Sequence, residues 1–379
     1  MSHLLDFTWY YIIVFLFVLT VIVFVHEWGH YWVARRNNVR VEVFSIGFGP
    51  EIFGWTNDAG TRWKISAIPL GGYVKMLGQS DLPEEDENLN KTSEEDKPYS
   101  FKYKSLAQRS AIVFAGPLAN FILAIILYTA LIITIGTPNH YAGIGNIQKN
   151  SAAAEAGFQI GDRIIEINGK PITWFSDLAD IISTSPGTKL QITIIRNNRE
   201  QVLSATPNTR MKSDKNGNTI KKGILGINPD PSQAEYMYHA PWTATWMAIE
   251  QTVSLTGNIL FYLGEMITGQ RGAEDLGGPL RIAQISGQMA QLGFKEVILF
   301  MAALSINLGL INLFPIPVLD GGHLMYFAAE AIRGRPLGPK TQDYGFRFGL
   351  ILLLILMVFA TWNDLASFKV IDFIKSLWA

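Results

Sequence analysis

His26, Glu27 and His30 stand together in the run His26-Glu27-Trp28-Gly29-His30. On a helix, residues four apart share a face with Cβ atoms about 5–6 Å apart. Two imidazoles so placed can bind one divalent ion at about 2.0–2.1 Å. Glu27, one position along, reaches a water held at such an ion and can serve as a general base. The run lies within the almost wholly apolar stretch Tyr10 to Val33. Ionisable groups there cost on the order of several kcal/mol unless paired, so they default to function.

A hydrolytic metal site needs a third protein ligand and an open position. The chain has no cysteine and six histidines, so disulfides, thiol nucleophiles and thiolate metal sites are excluded. The third ligand is therefore a carboxylate or another histidine. The run Asn312-Leu313-Phe314-Pro315-Ile316-Pro317-Val318-Leu319-Asp320-Gly321-Gly322-His323 offers both. Asp320 follows two helix-breaking prolines and precedes a glycine pair that frees the backbone. Irregular backbone at membrane depth is tolerated where it lines a buried cavity. His323 is a rival ligand, and Asp320 sits nearer the membrane.

The elements that must position these groups are apolar. Of 379 residues, 49% are hydrophobic and 17% charged, with a net charge of -1. Soluble domains carry about a quarter charged residues, and nucleic-acid binding wants a basic footprint. A water-soluble enzyme and a nucleic-acid binder are both disfavoured. Besides Tyr10–Val33, the runs Ser110–Ile135, Val297–Leu319 and Gly349–Trp362 are candidate spans of a roughly 30 Å hydrocarbon core. The first lacks the basic start and small-residue cleavage site of a signal peptide, so it reads as a retained span.

Arg35, Arg36 and Arg40 follow the first run; Lys102, Lys104 and Arg109 precede the second. Arg333, Arg335 and Lys340 separate the third and fourth. The positive-inside rule places 34–109 and 330–345 in the cytoplasm, with both termini and 136–295 outside. Residues 242–268 are apolar and carry Trp242 and Trp246. A fifth span there would break the charge rule, whereas an interfacial helix keeps it.

Residues 41–77 alternate as strands do, and 78–100 are acidic and read as a solvated loop. Residues 141–206 read as an α+β module. Strands are expected at 143–148, 163–168, 189–196 and 200–205, with helices at 151–156 and 175–184. Residues 207–235 are polar and turn-rich, a linker or hairpin.

His26–His30 together with Asn312–Gly321 resembles the paired signature of the site-2 protease family of intramembrane zinc metalloproteases. Further likeness lies in 39–50, 68–76, 114–124 and the 141–206 module, so it covers nearly the whole chain. The resemblance implies that His26, His30 and Asp320 bind zinc and Glu27 activates the attacking water. It implies that Asn312 and Asn307 contact the substrate backbone. The 68–76 strand, with Gly71, Gly72, Tyr73 and Val74, resembles a membrane-reentrant β-loop that pairs with an unwound substrate. Residues 151–170 resemble a PDZ domain, of which this chain has room for one. Two readings of that module stand: the Tyr141–Gly145 loop receives a peptide carboxyl terminus, or the module is a steric cap.

The expected fold is a polytopic α-helical membrane protein with four transmembrane helices, a reentrant β-loop region and an inserted α+β PDZ-like domain. Its parts are a first transmembrane helix (1–34), a cytoplasmic or reentrant β region with the acidic loop (35–109) and a second transmembrane helix (110–136). The PDZ-like module (141–206) and a linker with interfacial helices (207–295) follow. A third transmembrane helix (296–323), a fourth (345–363) and a periplasmic tail (364–379) complete the chain. The implied function is zinc-dependent cleavage of single-pass substrates, an anti-sigma factor or remnant signal peptides, in a bacterial inner membrane during envelope stress. No nucleic acid takes part. The alternative is a non-proteolytic, membrane-tethered PDZ module that holds exported proteins. An ion transporter is weaker, since the polar residues form no relay across all the spans.

Overall fold

The computed structural model describes residues 2–79, 93–213, 219–270, 272 and 277–367. Most of the acidic run and the end of the tail lie outside the described residues. The chain divides into two units, 1–131 with 241–379, and 132–240.

The first unit is built on apolar helices. Four of them are long and apolar enough to cross a membrane: α1 (Ser2–Arg36), α2 (Leu106–Thr134), and, from the later part of the chain, Phe294–Asn312 and Pro339–Ser367. The 241–267 segment, a helix of 27 residues, is not among these four. Its Ala244, Ala248 and Thr252, four apart, are buried.

α1 lies between two apolar clusters. Toward its start, Val18 and Ile22 pack with Met301 and, less deeply, Leu127 and Leu308. Toward its end, Ala34 packs with Val39, Val41, Met76, Phe101, Ile112 and Val113. The turn 26–30 falls between these clusters, so packing on both sides fixes its orientation.

Strands β1 (Val41–Thr56) and β2 (Arg62–Met76) follow. Each bends and contributes twice to one small sheet. Residues 51–56 pair with 62–66; residues 62–65 also lie beside 43–46; and 43–46 pair on their other side with 72–75. The 72–76 stretch is therefore an outer strand, paired on one side only among the described residues. The β-branched and aromatic content of the run, Val41, Val43 and Phe44 among it, favours this pleated surface. Trp63 stacks on Phe44 at 4.3 Å and meets Tyr31 of α1 at 5.2 Å, which anchors the sheet beside the His/Glu turn.

The second unit contains β3 (Thr137–His140), β4 (Ile144–Ile147), α3 (Ala152–Glu155), β5 (Arg163–Ile167), β6 (Lys170–Pro171), α4 (Phe175–Ser183), β7 (Leu190–Arg196) and β8 (Arg199–Ala205). β9 (Asn208–Ser213), β10 (Thr219–Ile224), β11 (Ile227–Pro229) and β12 (Ala234–Met237) complete it. The expected strands and helices of 141–206 fall within a residue or two of these. Ile144, Ile164, Leu178, Ile192 and Ile194 form its core. The unit is wider than 141–206, because β11 pairs with β4 and β12 with β3. The 207–235 segment is thus a hairpin followed by strands of the unit itself.

The remaining helices are α5 (Pro241–Ile267), α6 (Pro279–Leu292), α7 (Phe294–Asn312), α8 (Asp320–Arg333) and α9 (Pro339–Ser367). Asp364 of α9 accepts from the Gly278 and Arg281 amides at 2.8 and 3.0 Å, capping the start of α6.

Candidate metal centre

α1 delivers His26 and His30 to one face, as their spacing requires. Both are buried, with their rings 4.9 Å apart. α2 crosses α1 at this level with glycine on both sides. A Cβ on Gly29 would fall 2.3 Å from the Ala115 carbonyl oxygen, and one on Gly116 would fall 2.2 Å from His30 Nε2. Small residues let the helix backbones approach. Here they also leave room for the imidazole.

Asp320 arrives from a separate element. α7 ends at Asn312, where the Pro315 and Pro317 amides could donate to no helix, and α8 starts at Asp320 itself. The expected single span 296–323 is therefore two helices joined by a bend. The glycine pair after Asp320 is helical rather than free, and its role is close approach. A Cβ on Gly321 would meet the Leu313 and Phe314 carbonyls at 2.3 Å. Arg109 of α2 grips Glu330 of α8 through two hydrogen bonds of 2.6 and 3.2 Å, which ties the helix bearing Asp320 to α2.

Three donor atoms converge. His26 Nε2 and His30 Nε2 are 3.3 Å apart, and Asp320 Oδ2 lies 3.2 Å from the first and 3.5 Å from the second. Among the described residues these three side chains form the one group of histidines and carboxylates placed to hold a metal ion. Ligands about 2.0–2.1 Å from a tetrahedral zinc stand about 3.3 Å from one another. The triangle has that size. Its chemistry fits as well: His30 Nδ1 lies 2.9 Å from the Ile112 carbonyl oxygen, to which it donates, so Nε2 carries a lone pair. Asp320 Oδ2 is buried in close contact with both rings yet in hydrogen-bonding geometry with neither. Converging lone pairs repel unless a cation lies among them. His323, the rival ligand, lines the same cleft but is not part of the triad.

The cleft holds about 420 Å³ and brings together elements far apart in sequence. Glu27 and Asn312 line it, and so do Gly71, Gly72, Tyr73 and Val74 of the outer strand. Val74 of the outer strand and Glu27 line the cleft together. A Cβ on Gly72 would sit 3.2 Å from Glu27 Cγ. Asn312 Nδ2 is 3.5 Å from His26 Nε2. Asn307, more than a turn earlier on α7, is half-buried and does not line the cleft.

Two residues enter that the motifs did not single out. Gln79 lines the cleft with its Oε1 buried and lacking a hydrogen-bond partner. Asn120 of α2 is fully buried, with Nδ2 3.2 Å from His26 Nδ1. The available signal for Asn120 is its type: an amide in the middle of an otherwise apolar span.

In the second unit the first four amides of the Tyr141–Gly145 loop are engaged within the unit. Tyr141 N–H donates to Gln233, Ala142 to Thr173, Gly143 to Tyr141 and Ile144 to Asp162, at 2.7–3.1 Å. The Tyr141 hydroxyl is engaged too, donating to Glu235 at 2.9 Å, which raises its pKa above the ordinary phenol value. Those bonds hold the loop in place within its own unit.

The Peptidase family M50 model matches residues 14–356. A protein of Agrobacterium fabrum named "Putative zinc metalloprotease" is 44% identical, over 94% of this chain and 96% of its own. A Rhizobium meliloti protein of the same description is 43% identical, over 96% and 99%. Metalloprotease MmpA of Caulobacter vibrioides is 34% identical, over 96% and 97%. Among solved structures, the PDZ domain of the SdrC-like protein of Listeria monocytogenes aligns with 24% of this chain and 88% of that one. Its identity is 21% and its TM-score 0.18, too low to assign a fold by itself. The end-to-end family match carries the identification: the chain belongs to peptidase family M50, the site-2 protease family, and is a zinc metalloprotease.

Proposed function

We propose that this protein is an intramembrane endopeptidase that cuts single-pass membrane proteins. The observation that carries the reading is the meeting of His26, Glu27 and His30, inside a helix apolar enough to span a bilayer, with Asp320, which stands just past the end of a second such helix. His26, His30 and Asp320 hold the zinc. A zinc ion held there would supply Lewis-acid chemistry toward the scissile carbonyl and the attacking water. Glu27 takes a proton from the attacking water at its carboxylate and passes it to the leaving amine nitrogen as the C–N bond breaks. Asn312 donates from its carboxamide to the substrate backbone, whereas Asn307 stands outside the cleft.

A substrate helix hides its peptide bonds, so it must unwind first. Gly71–Val74 belong to an outer strand beside the cleft, and strand addition there would hold an extended substrate. Exposed Phe48, Ile52, Phe53, Trp55 and Ile68 give this small sheet an apolar surface, which favours a reentrant position in the bilayer. The 132–240 unit, PDZ-like by the resemblance of 151–170, serves to exclude bulky folded proteins as substrates. Anti-sigma-factor-like proteins and remnant signal peptides are substrates of fitting form. The setting is a bacterial inner membrane, with both termini and the 132–240 unit periplasmic and a role in envelope stress.

Incubation of the purified chain with a single-span reporter should give products that vanish with a strong chelator and return with zinc. Cleavage that persists in metal-free protein would remove this ligand set. Orientation has its own test, made simple by the absence of cysteine. A cysteine at Glu200 should be labelled by an impermeant reagent on intact spheroplasts, and labelling only after lysis would reverse the topology.

A further inference from the structure

His26 poses a problem that His30 does not. A histidine binds a metal through one nitrogen only when the other carries the hydrogen, and that N–H needs an acceptor. His30 Nδ1 has the Ile112 carbonyl at 2.9 Å. His26 Nδ1 instead meets the Asn120 carboxamide nitrogen, at 3.2 Å. An NH2 group can only donate, which would leave Nδ1 bare and place the hydrogen on Nε2, inside the triad. That tautomer cannot ligate.

The Asn120 side chain carries both answers. A half-turn about its Cβ–Cγ bond exchanges nitrogen for oxygen at nearly the same position. Its Oδ1 is buried and has no hydrogen-bond partner, so no bond holds the carboxamide oxygen elsewhere. The backbone around it is fixed. Asn120 is fully buried, its carbonyl accepts from the Ser305 hydroxyl of α7 at 2.8 Å, and its Cβ packs where α7 passes at Gly309. The carboxamide can therefore turn while its Cα stays in place against His26.

We infer that Asn120 is a positioning residue of the zinc site, its Oδ1 accepting from His26 Nδ1–H and thereby committing His26 Nε2 to the metal. The metal and this hydrogen bond are then coupled. Without an ion, Asn120 donates to Nδ1 and the hydrogen resides on Nε2; with the ion, both exchange. Asn120 touches neither substrate nor metal and acts only through His26. The inference rests on His26, His30 and Asp320 as the ligand set.

The test measures zinc affinity of the full chain in detergent, by competition with a chromophoric chelator, for wild type, H26A, N120A and N120D. Outer partners of metal-bound histidines are typically worth about 10–100-fold in affinity. N120A should weaken zinc binding by that factor. N120D is the decisive variant, since a carboxylate can accept from Nδ1–H but cannot donate to a bare Nδ1. It should bind zinc at least nearly as tightly as wild type, and far more tightly than N120A. If N120A keeps wild-type affinity, or N120D loses as much as N120A, the inference is wrong. Should N120A fail to fold, as judged by thermal unfolding of the metal-free proteins, the N120D result decides alone. H26A separates the two levels: if it binds zinc as wild type does, the ligand set itself fails, whatever Asn120 does.

Discussion

Glu27→Gln is expected to abolish cleavage while leaving the zinc content unchanged. Glu27 stands one residue from His26 and lines the cleft, but it is not one of the three converging donors. Glutamine keeps the shape and removes the proton acceptor. General acid–base groups typically contribute about 10²–10⁴-fold, and Glu27 serves both halves of the reaction, so a loss toward the upper end is expected. The outer strand is held by its pairing with 43–46, so it stays in place. Metal analysis and a cleavage assay on one preparation check this. Undiminished cleavage contradicts the base assignment, and zinc lost together with activity makes Glu27 a ligand instead.

The second large effect is at Asp320. Asp320→Asn keeps the volume and removes the charge and one of the two equivalent oxygens. The two helices that present the triad are held by other contacts, among them the Arg109–Glu330 pair and the close approach at Gly321. The fold should therefore persist and the metal should not. The expected loss in zinc affinity exceeds the roughly 10–100-fold typical of partners beyond the ligands themselves, and activity falls with it. Unchanged zinc binding in D320N would turn attention to His323, which lines the same cleft.

How much of this was legible beforehand follows from the range of each signal. The His26–His30 spacing is local, one helical turn, and its apolar setting marks it. Asp320 was legible from charge beside prolines and glycines, although its bend resolved into two helices with glycines packed against the Leu313 and Phe314 carbonyls. The strands of the 132–240 unit up to Ala205 announce themselves by alternation and turn residues. β11 and β12 do not: three and four residues amid polar turns carry no periodicity, and only their partners β4 and β3, about 80 to 100 positions earlier, define them. Of the Tyr141–Ile144 amides, that of Tyr141 likewise depends on a distant acceptor, Gln233. Asn120 was legible as a polar residue in an apolar span and within the 114–124 stretch of family likeness, but its role was not, because its partner lies 94 positions away.

The sheet shows the same limit from another side. Alternation in 41–77 marks strands, but it does not reveal that β1 and β2 each bend and enter the sheet twice. That doubling is what makes 72–76 an outer strand and sets it against Glu27. Register of this kind is fixed by which face must be buried, and here the burying surface is α1, reached through Phe44, Trp63 and Tyr31.

The central claim is that hydrolysis takes place within a membrane-spanning segment. The most direct measurement is the mass of both fragments released from a purified single-span substrate by the wild-type chain, with the Glu27→Gln protein as control. The account predicts one or a few cuts inside the apolar segment, toward its cytoplasmic end, since His30 lies just before Arg35 and Arg36. Cuts confined to the soluble flanks of the substrate would contradict it.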